Sequence, residues 1–156
     1  MGTRPATLST TEAIDAVLSD RPDVVAQLGA AHEAAWRAVE PRLLELCRLR
    51  IAMLLDCTSE AAARTAGIGV DEATIAELAS WPTSPRFDQR DRACLAFCEH
   101  YVIDVASLTD ELATGVTEQL GPQGLVDFVS ALIVIEQRQR LRLAWSRLLG
   151  EGEVPR

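Results

Sequence analysis

The stretch PRLLELCRLRIAMLL, which spans residues 41–55, predicts a helix of the protein core. Pro41 suits the first turn of a helix, where its missing N–H removes no hydrogen bond. The leucines and the isoleucine that follow recur at helical spacing, so they would face the core together. Glu45, Arg48 and Asp56 form a polar stripe on this helix. Glu45 and Arg48 are therefore candidates either for an ion pair or for chemistry.

The rest of the chain repeats this pattern of apolar helices separated by prolines and glycines. No stretch shows the alternation of a β-strand, so the predicted class is all-α, a bundle of about seven to eight helices. No linker or repeat divides the chain, which predicts a single domain over residues 1–156, with a frayed tail from residue 150. The predicted helices cover residues 10–19, 22–39, 41–55, 60–66 with Gly67 as cap, 71–80, 88–104, 109–120 and 123–149.

Composition limits the kinds of function. The 156 residues include 15 basic residues, all arginine, and 23 acidic ones, which gives a net charge of -8. Such an acidic chain is a poor partner for nucleic acid and for anionic membranes. The lack of lysine excludes a Schiff-base mechanism. No metal-ligand cluster or nucleotide loop is present, so we expect neither a metal nor a cofactor.

The chain shows no targeting signal. Residues 1–5 are polar and lack the apolar core of a signal peptide. No apolar run reaches the length that spans a membrane. With no sign of secretion, the four cysteines are expected to be reduced, which predicts a cytoplasmic location.

The predicted helix over residues 123–149 is apolar on nearly every side. Such a helix needs neighbours all round. It is either a central core helix or a helix whose neighbours include another subunit. We favour the second interpretation, which predicts an oligomer.

Several segments resemble the carboxymuconolactone decarboxylase and alkylhydroperoxidase D-like family. They are, in chain order, LLELCRLRIA (43–52), Cys57, AG (66–67), WPTSPRF (81–87), RDRACLA (90–96) and EQRQRL (136–141). The resemblance covers about residues 40–150. It implies a small helical protomer that assembles into a trimer or a trimer-based hexamer.

The dithiol motif of the family's peroxidase branch, Cys-x-x-Cys-x-x-x-His, is absent from this sequence. Glu45 and Cys57 match the relay glutamate and the first cysteine of that branch. The second cysteine, which attacks the peroxide, corresponds to Glu60, and the relay histidine corresponds to Arg64. A dithiol mechanism needs one thiolate to attack and a second thiol to resolve. The resemblance therefore implies the fold without a dithiol peroxidase site.

Cofactor-free acid–base chemistry on a small anionic molecule is the function we expect first, such as decarboxylation, isomerisation or hydrolysis. Glu45, partly buried among leucines, could have a raised pKa and carry the proton. Arg64 and Arg140 would hold an anionic group. Gln139 and Arg140 are expected in the wall of a pocket. The substrate-binding set is Glu60, Arg64, Glu136, Gln139 and Arg140.

Two other functions stay open. Cys57 at a helix start could serve a single-cysteine peroxidase, with peroxiredoxin-type activity, or a redox sensor. The protein could also be a non-catalytic oligomer that binds a ligand or acts as a scaffold.

Simpler interpretations compete for the same residues. Glu45 could pair with Arg48, and Glu60 with Arg64 at the i, i+4 spacing of a helix-surface salt bridge. Glu136 and the arginines near it could pair across subunits. Cys94 and Cys98 are expected to pack in the core, and His32 and His100 to lie on the surface or at an interface.

Overall fold

The computed structural model describes residues 10–148, and within this range every regular element is helical. The all-α prediction is confirmed. None of the described helices is both long and apolar enough to cross a membrane. The helices are α1 (Thr10–Val17), α2 (Pro22–Ala38), α3 (Pro41–Leu54), α4 (Thr58–Ala62), α5 (Glu72–Glu77), α6 (Gln89–Ile103) and α7 (Asp110–Leu148), with short 3-10 turns at Leu78–Ser80 and Val105–Ser107.

Helix α3 is the centre of the core, as its sequence predicts. It packs against α4, α6 and α7. Four of its leucines are fully buried, and Phe128 and Leu132 of α7 belong to the same apolar cluster. Of the predicted polar stripe, Asp56 lies beyond the end of α3 and is exposed. Glu45 and Arg48 are buried, at 2% and 5% exposure. These two charges therefore need partners inside the protein.

Helix α4 differs from its prediction at both ends. It begins at Thr58 and ends at Ala62, whereas the sequence predicts a helix over 60–66 that Gly67 closes. Side chains explain the early end. The N–H of Thr65, which would continue the helix by bonding the Ala61 carbonyl, donates to the Glu45 carboxylate instead. The Ala61 carbonyl accepts from Arg64. Gly67 does have a positive φ of 78°, but it lies in the turn beyond.

The break before the last helix is confirmed. Gly121 has φ 79° and ψ 168°, which divides α7 into two helical segments, 110–120 and 122–148. Pro122 begins the second segment, where its missing N–H is tolerated. Residue 149 and the predicted frayed tail lie outside the described residues. The second segment carries one wall of the pocket described below.

We expect Gly121→Ala to lower the free energy of unfolding by about 1–3 kcal/mol, because this backbone region is open essentially to glycine alone. Gly115→Ala is the matched control. Its new Cβ would meet only the Ala93 Cβ at 3.9 Å, and alanine in a helix is more stable than glycine by about 0.5–1 kcal/mol. Urea unfolding measures both variants. An unchanged midpoint for Gly121→Ala would contradict the prediction.

Candidate functional site

A pocket of about 150 Å³ opens beside the second segment of α7. Helices α1 and α2, the segment from α4 to residue 65, and α7 surround it. We call it the α2–α7 pocket. Its lining combines charged, amide and aromatic side chains: Thr11, His32, Trp36, Arg48, Glu60, Ala63, Arg64, Thr65, Ile135, Arg138 and Gln139.

Arg48 holds one wall of the pocket together. Its guanidinium donates two hydrogen bonds of 2.8 Å to the Glu45 carboxylate. It donates three more of 2.8 Å to the Glu60 carboxylate, the Glu60 carbonyl and the Ala63 carbonyl. An arginine has five N–H groups, so every donor of Arg48 is used. Arg48 therefore connects α3 to the segment that follows it and has no N–H left for a ligand.

Glu45 is equally saturated. Besides Arg48, it accepts from the Thr65 N–H at 3.2 Å and from the Thr65 hydroxyl at 2.7 Å. Burial alone would raise the pKa of Glu45, but the hydrogen bonds and charge of Arg48, with those of Thr65, outweigh burial and lower it. The raised pKa expected from the sequence is therefore wrong, and the alternative ion pair with Arg48 is confirmed.

Glu60 and Arg64 both line the pocket, but they do not form the predicted salt bridge with each other. Glu60 binds Arg48. Arg64 binds the Glu72 carboxylate with two bonds, of 2.7 and 3.0 Å. It also donates to the Ala61 and Ala63 carbonyls. The short α4 explains the difference, because Arg64 lies beyond its end and is not on the same helix as Glu60.

Arg138 lines the pocket although it was not among the predicted site residues, as is true of Thr11, Trp36 and Thr65. Arg138 is buried, at 6% exposure, on the second segment of α7. Its Nη2 donates to the Thr11 hydroxyl at 2.8 Å. Within the described part of the chain, no carboxylate oxygen lies within 4.0 Å of its guanidinium. Burial lowers its pKa. Its spacing was a usable signal, since Arg138 lies three residues after the buried Ile135 and so shares its face.

His32 is a half-buried pocket residue and not an exposed surface histidine, while its place at a subunit interface stays a prediction. Its Nε2 accepts a hydrogen bond of 3.1 Å from the Trp36 indole N–H. Nε2 is therefore unprotonated, and Nδ1 carries the proton of the neutral ring. Nδ1 is buried and has no partner among the described residues. Burial lowers the pKa of His32 to about 4, with Arg138 acting in the same direction, so the ring is neutral at pH 7.

Gln139 lines the α2–α7 pocket, whereas Arg140 lies in the wall of a separate depression, with Leu55, Leu143, Ala144 and Arg147. The Gln139 amide nitrogen donates to the Arg48 carbonyl at 2.9 Å. Its oxygen Oε1 is buried without a partner among residues 10–148. Arg140 pairs instead with the buried Glu136 at 2.8 Å, and neither of them lines the pocket. Arg138 and Gln139 follow the pocket residue Ile135 by three and four positions, whereas Arg140 follows it by five and lies about 140° round the helix from it, so Arg140 belongs to another side of α7.

The cysteines are buried and do not line the pocket. Cys57 precedes α4, as predicted, and is 1% exposed, with its Sγ 3.7 Å from the Ser59 hydroxyl. Core packing is confirmed for Cys94 and Cys98, both fully buried. A hydrogen bond with Cys98 raises the pKa of Cys47, and burial raises that of Cys94 to about 12. In the part of the chain that the structure describes, no group of three metal-binding side chains occurs.

These helices form the fold of the AhpD-like proteins. A crystal structure from Agrobacterium tumefaciens, described as a protein of unknown function and a candidate antioxidant defence protein AhpD, matches with a TM-score of 0.70. The two chains are 16% identical, and the match covers 90% of this chain and 96% of that one. No protein-family model and no curated protein matches the sequence. The likeness is one of fold, and it agrees with the fold implied by the sequence resemblance.

Proposed function

We propose that this protein is a carboxymuconolactone decarboxylase-like protein without a dithiol peroxidase site, and that it binds a small organic anion in the α2–α7 pocket. One observation carries the proposal. Arg138 is buried in the pocket wall and has a hydroxyl, not a carboxylate, as its partner among the described residues. The carboxylates of Glu60 and Asp15 attract Arg138 from beyond 4.0 Å, but burial outweighs them and lowers its pKa. A bound anion would offset the cost of burying this charge.

The other two arginines of the pocket, Arg48 and Arg64, are less suited to bind an anion than Arg138 is. All five N–H groups of Arg48 are bonded within the protein. Arg64 donates one hydrogen bond to each carboxylate oxygen of Glu72. Arg138 uses one of its five donors on Thr11. The planar guanidinium suits two parallel bonds to a carboxylate, so a carboxylate is the anion that fits best.

Binding has more support than any of the expected reactions. Decarboxylation, isomerisation or hydrolysis would need a proton carrier that reaches the ligand. Glu45 accepts four hydrogen bonds and does not line the pocket. His32 does line it, but a pKa of about 4 makes it a weak base at pH 7. The geometry therefore favours a protein that binds a ligand without catalysing a reaction.

The single-cysteine peroxidase alternative has less support. A thiolate must be accessible to attack a peroxide. Cys57 is 1% exposed and does not line the pocket. At the position that the resemblance gives to the peroxide-attacking cysteine stands Glu60, which cannot form a sulfenic acid.

Self-association and a cytoplasmic location stay predictions. For self-association the support is apolar surface on α7. Val126 is 57% exposed and Ile133 is 46% exposed. They are seven residues apart, so they share one helix face. A second copy would remove this surface from water, and a trimer or hexamer remains the assembly that the family resemblance implies.

The test is the binding of acetate at constant ionic strength. The indole N–H of Trp36 contacts His32 in the pocket, whereas that of Trp81 binds Glu99 elsewhere. We expect the NMR signal of the Trp36 indole to shift saturably with acetate and that of Trp81 to stay constant. Arg138→Met should weaken acetate binding about 10- to 100-fold, because it removes charged hydrogen bonds.

Arg37→Met is the matched control. It removes the same charge from the neighbouring helix α2, where the Arg37 side chain is 70% exposed. Acetate should bind this variant with unchanged affinity. The proposal fails if neither acetate nor glycolate gives a saturable shift. It also fails if Arg138→Met binds acetate as the unmodified protein does.

A further inference from the structure

We infer that the preferred ligand is a 2-hydroxy monocarboxylate of about five or six non-hydrogen atoms, of which glycolate is the simplest. This inference rests on the proposed anion binding and adds the size, the charge and the second functional group of the ligand. Two buried polar atoms without partners, on residues that line the pocket, carry it together with Arg138.

The pocket sets the size of the ligand. Its volume is about 150 Å³. A cavity of roughly that volume holds a molecule as large as benzene, which has six carbon atoms. Glycolate and lactate fall within this limit. Larger acids would have to extend into solvent, where none of the pocket groups could recognise them.

The charges of the pocket favour one carboxylate over two. Arg138 keeps four of its five donors unused, whereas Arg64 keeps one, so one guanidinium is free to hold one carboxylate with two parallel bonds. The Glu60 carboxylate also lines the pocket, bound to Arg48 at 2.8 Å. A second carboxylate on the ligand would lie in the same small space as Glu60 and be repelled. A dicarboxylate such as malonate should therefore bind less tightly than a monocarboxylate.

His32 offers the carboxylate a further donor. The Trp36 N–H occupies Nε2 and so leaves the proton on Nδ1, which is buried without an acceptor among residues 10–148. A buried donor without an acceptor costs about 1–3 kcal/mol. A carboxylate oxygen of the ligand is an acceptor of the right chemistry. Arg138 and His32 together account for the acid group.

The side-chain oxygen of Gln139 needs a hydrogen-bond donor from the ligand. A hydroxy acid has such a donor in its hydroxyl group, and a simple carboxylate has none. The Gln139 amide cannot turn over, because the Nε2 bond to the Arg48 carbonyl at 2.9 Å would then become a contact between two oxygens. Oε1 is therefore held as an acceptor, buried and unmatched in the described structure. A hydroxyl suits it better than an ammonium group, since Arg138 is its immediate neighbour on α7.

The experiment compares glycolate, acetate and methoxyacetate through the Trp36 indole signal. Glycolate and acetate share the carboxylate, and methoxyacetate replaces the hydroxyl donor by an ether. We expect glycolate to bind about 5- to 100-fold more tightly than either of the others, the range that one buried unmatched acceptor supplies. In Gln139→Met this preference should disappear while the affinity for acetate stays the same. Gln137→Met, an exposed neighbour, should keep it.

The outcomes separate this inference from the proposed function. If none of the three acids binds, the proposed function itself fails. If acetate binds as tightly as glycolate, anion binding stands and the hydroxy-acid inference is overturned. If Gln139→Met does not fold, the comparison of glycolate with methoxyacetate on the unmodified protein still decides, because equal affinities would overturn the inference without any variant.

Discussion

Replacing Arg48 by methionine is expected to lower the free energy of unfolding by about 3–5 kcal/mol, the usual loss when one partner of a buried ion pair is removed. Arg48 is 5% exposed and lies between two carboxylates, those of Glu45 and Glu60. Methionine fills much of the same space, so packing would change little. The variant would keep two buried negative charges with no cation between them.

Thermal and urea unfolding at pH 7 measure this loss. A decrease of 3–5 kcal/mol corresponds to a melting temperature lower by about 6–20 °C for a domain of this size. Arg21→Met is the control, because Arg21 also pairs with a carboxylate, Asp23, but its side chain is 62% exposed. Such a surface pair contributes at most about 1 kcal/mol. Equal stability of the Arg48→Met and Arg21→Met variants would refute the role given to Arg48.

The double variant Arg48→Met with Glu45→Gln gives a second check. It removes one of the two stranded carboxylates, so it should be more stable than Arg48→Met alone. Non-additivity of this kind is expected for residues in one network. Additive losses would mean that Glu45 and Arg48 stabilise the fold independently, against the geometry of their two bonds.

Local sequence rules predicted the helices well, and the reasons are physical. Helix α3 follows from apolar periodicity after Pro41, and the break in α7 follows from the Gly121–Pro122 pair. Both signals act within a few residues of each other. The end of α4 was mispredicted because it depends on Glu45, thirteen residues before the start of that helix, which takes the N–H of Thr65. No rule that considers nearby residues alone contains that contact.

The pairing of charges could not be predicted for the same reason. The i, i+4 rule assigned Arg64 to Glu60, but each pairs with a residue more distant in the chain. Arg64 pairs with Glu72, and Glu60 pairs with Arg48. Arg140 did follow the rule, pairing with Glu136, and for that reason it is not available to the pocket. A periodicity argument from the buried Ile135 would have placed Arg138 and Gln139, at i+3 and i+4, on its side of α7. The partner of His32, Trp36, was visible at i+4 but carried no sign of a pocket.

The site shows which contacts are made at the positions that the resemblance gives to redox residues. The resemblance places Glu60 where the peroxide-attacking cysteine would be and Arg64 where the relay histidine would be. Here Glu60 belongs to the Arg48 network and Arg64 to a bond with Glu72. Charged pairs thus hold the segment between α3 and α5 in place. The groups left without partners lie across the pocket, on α2 and α7, and these are the groups to which we assign ligand binding.

Glu45→Gln distinguishes a proton carrier from a structural residue. If Glu45 carried a proton in catalysis, the variant would fold normally and lose its activity. From the structure we expect the variant to lose stability instead. The free energy of unfolding should fall by about 3–5 kcal/mol, as for a buried pair that loses one partner. The glutamine amide would direct two N–H donors toward Arg48 and Thr65, where the carboxylate accepts four hydrogen bonds.

The direction of the pKa shift of Glu45 determines at which pH this residue stabilises the fold. The pKa of Glu45 is lowered below its ordinary value of 4.5 in the folded protein, so the unfolded chain binds its proton first as the pH falls. The stabilisation by Glu45 is therefore complete well above pH 4.5 and is lost below it.

Urea unfolding at pH 7, 5 and 3.5 should show the difference between Glu45→Gln and the unmodified protein shrinking at the lowest pH. The exposed Glu33→Gln should show a much smaller difference throughout. A Glu45→Gln variant as stable as the unmodified protein at pH 7, but with altered ligand chemistry, would return Glu45 to the role of proton carrier.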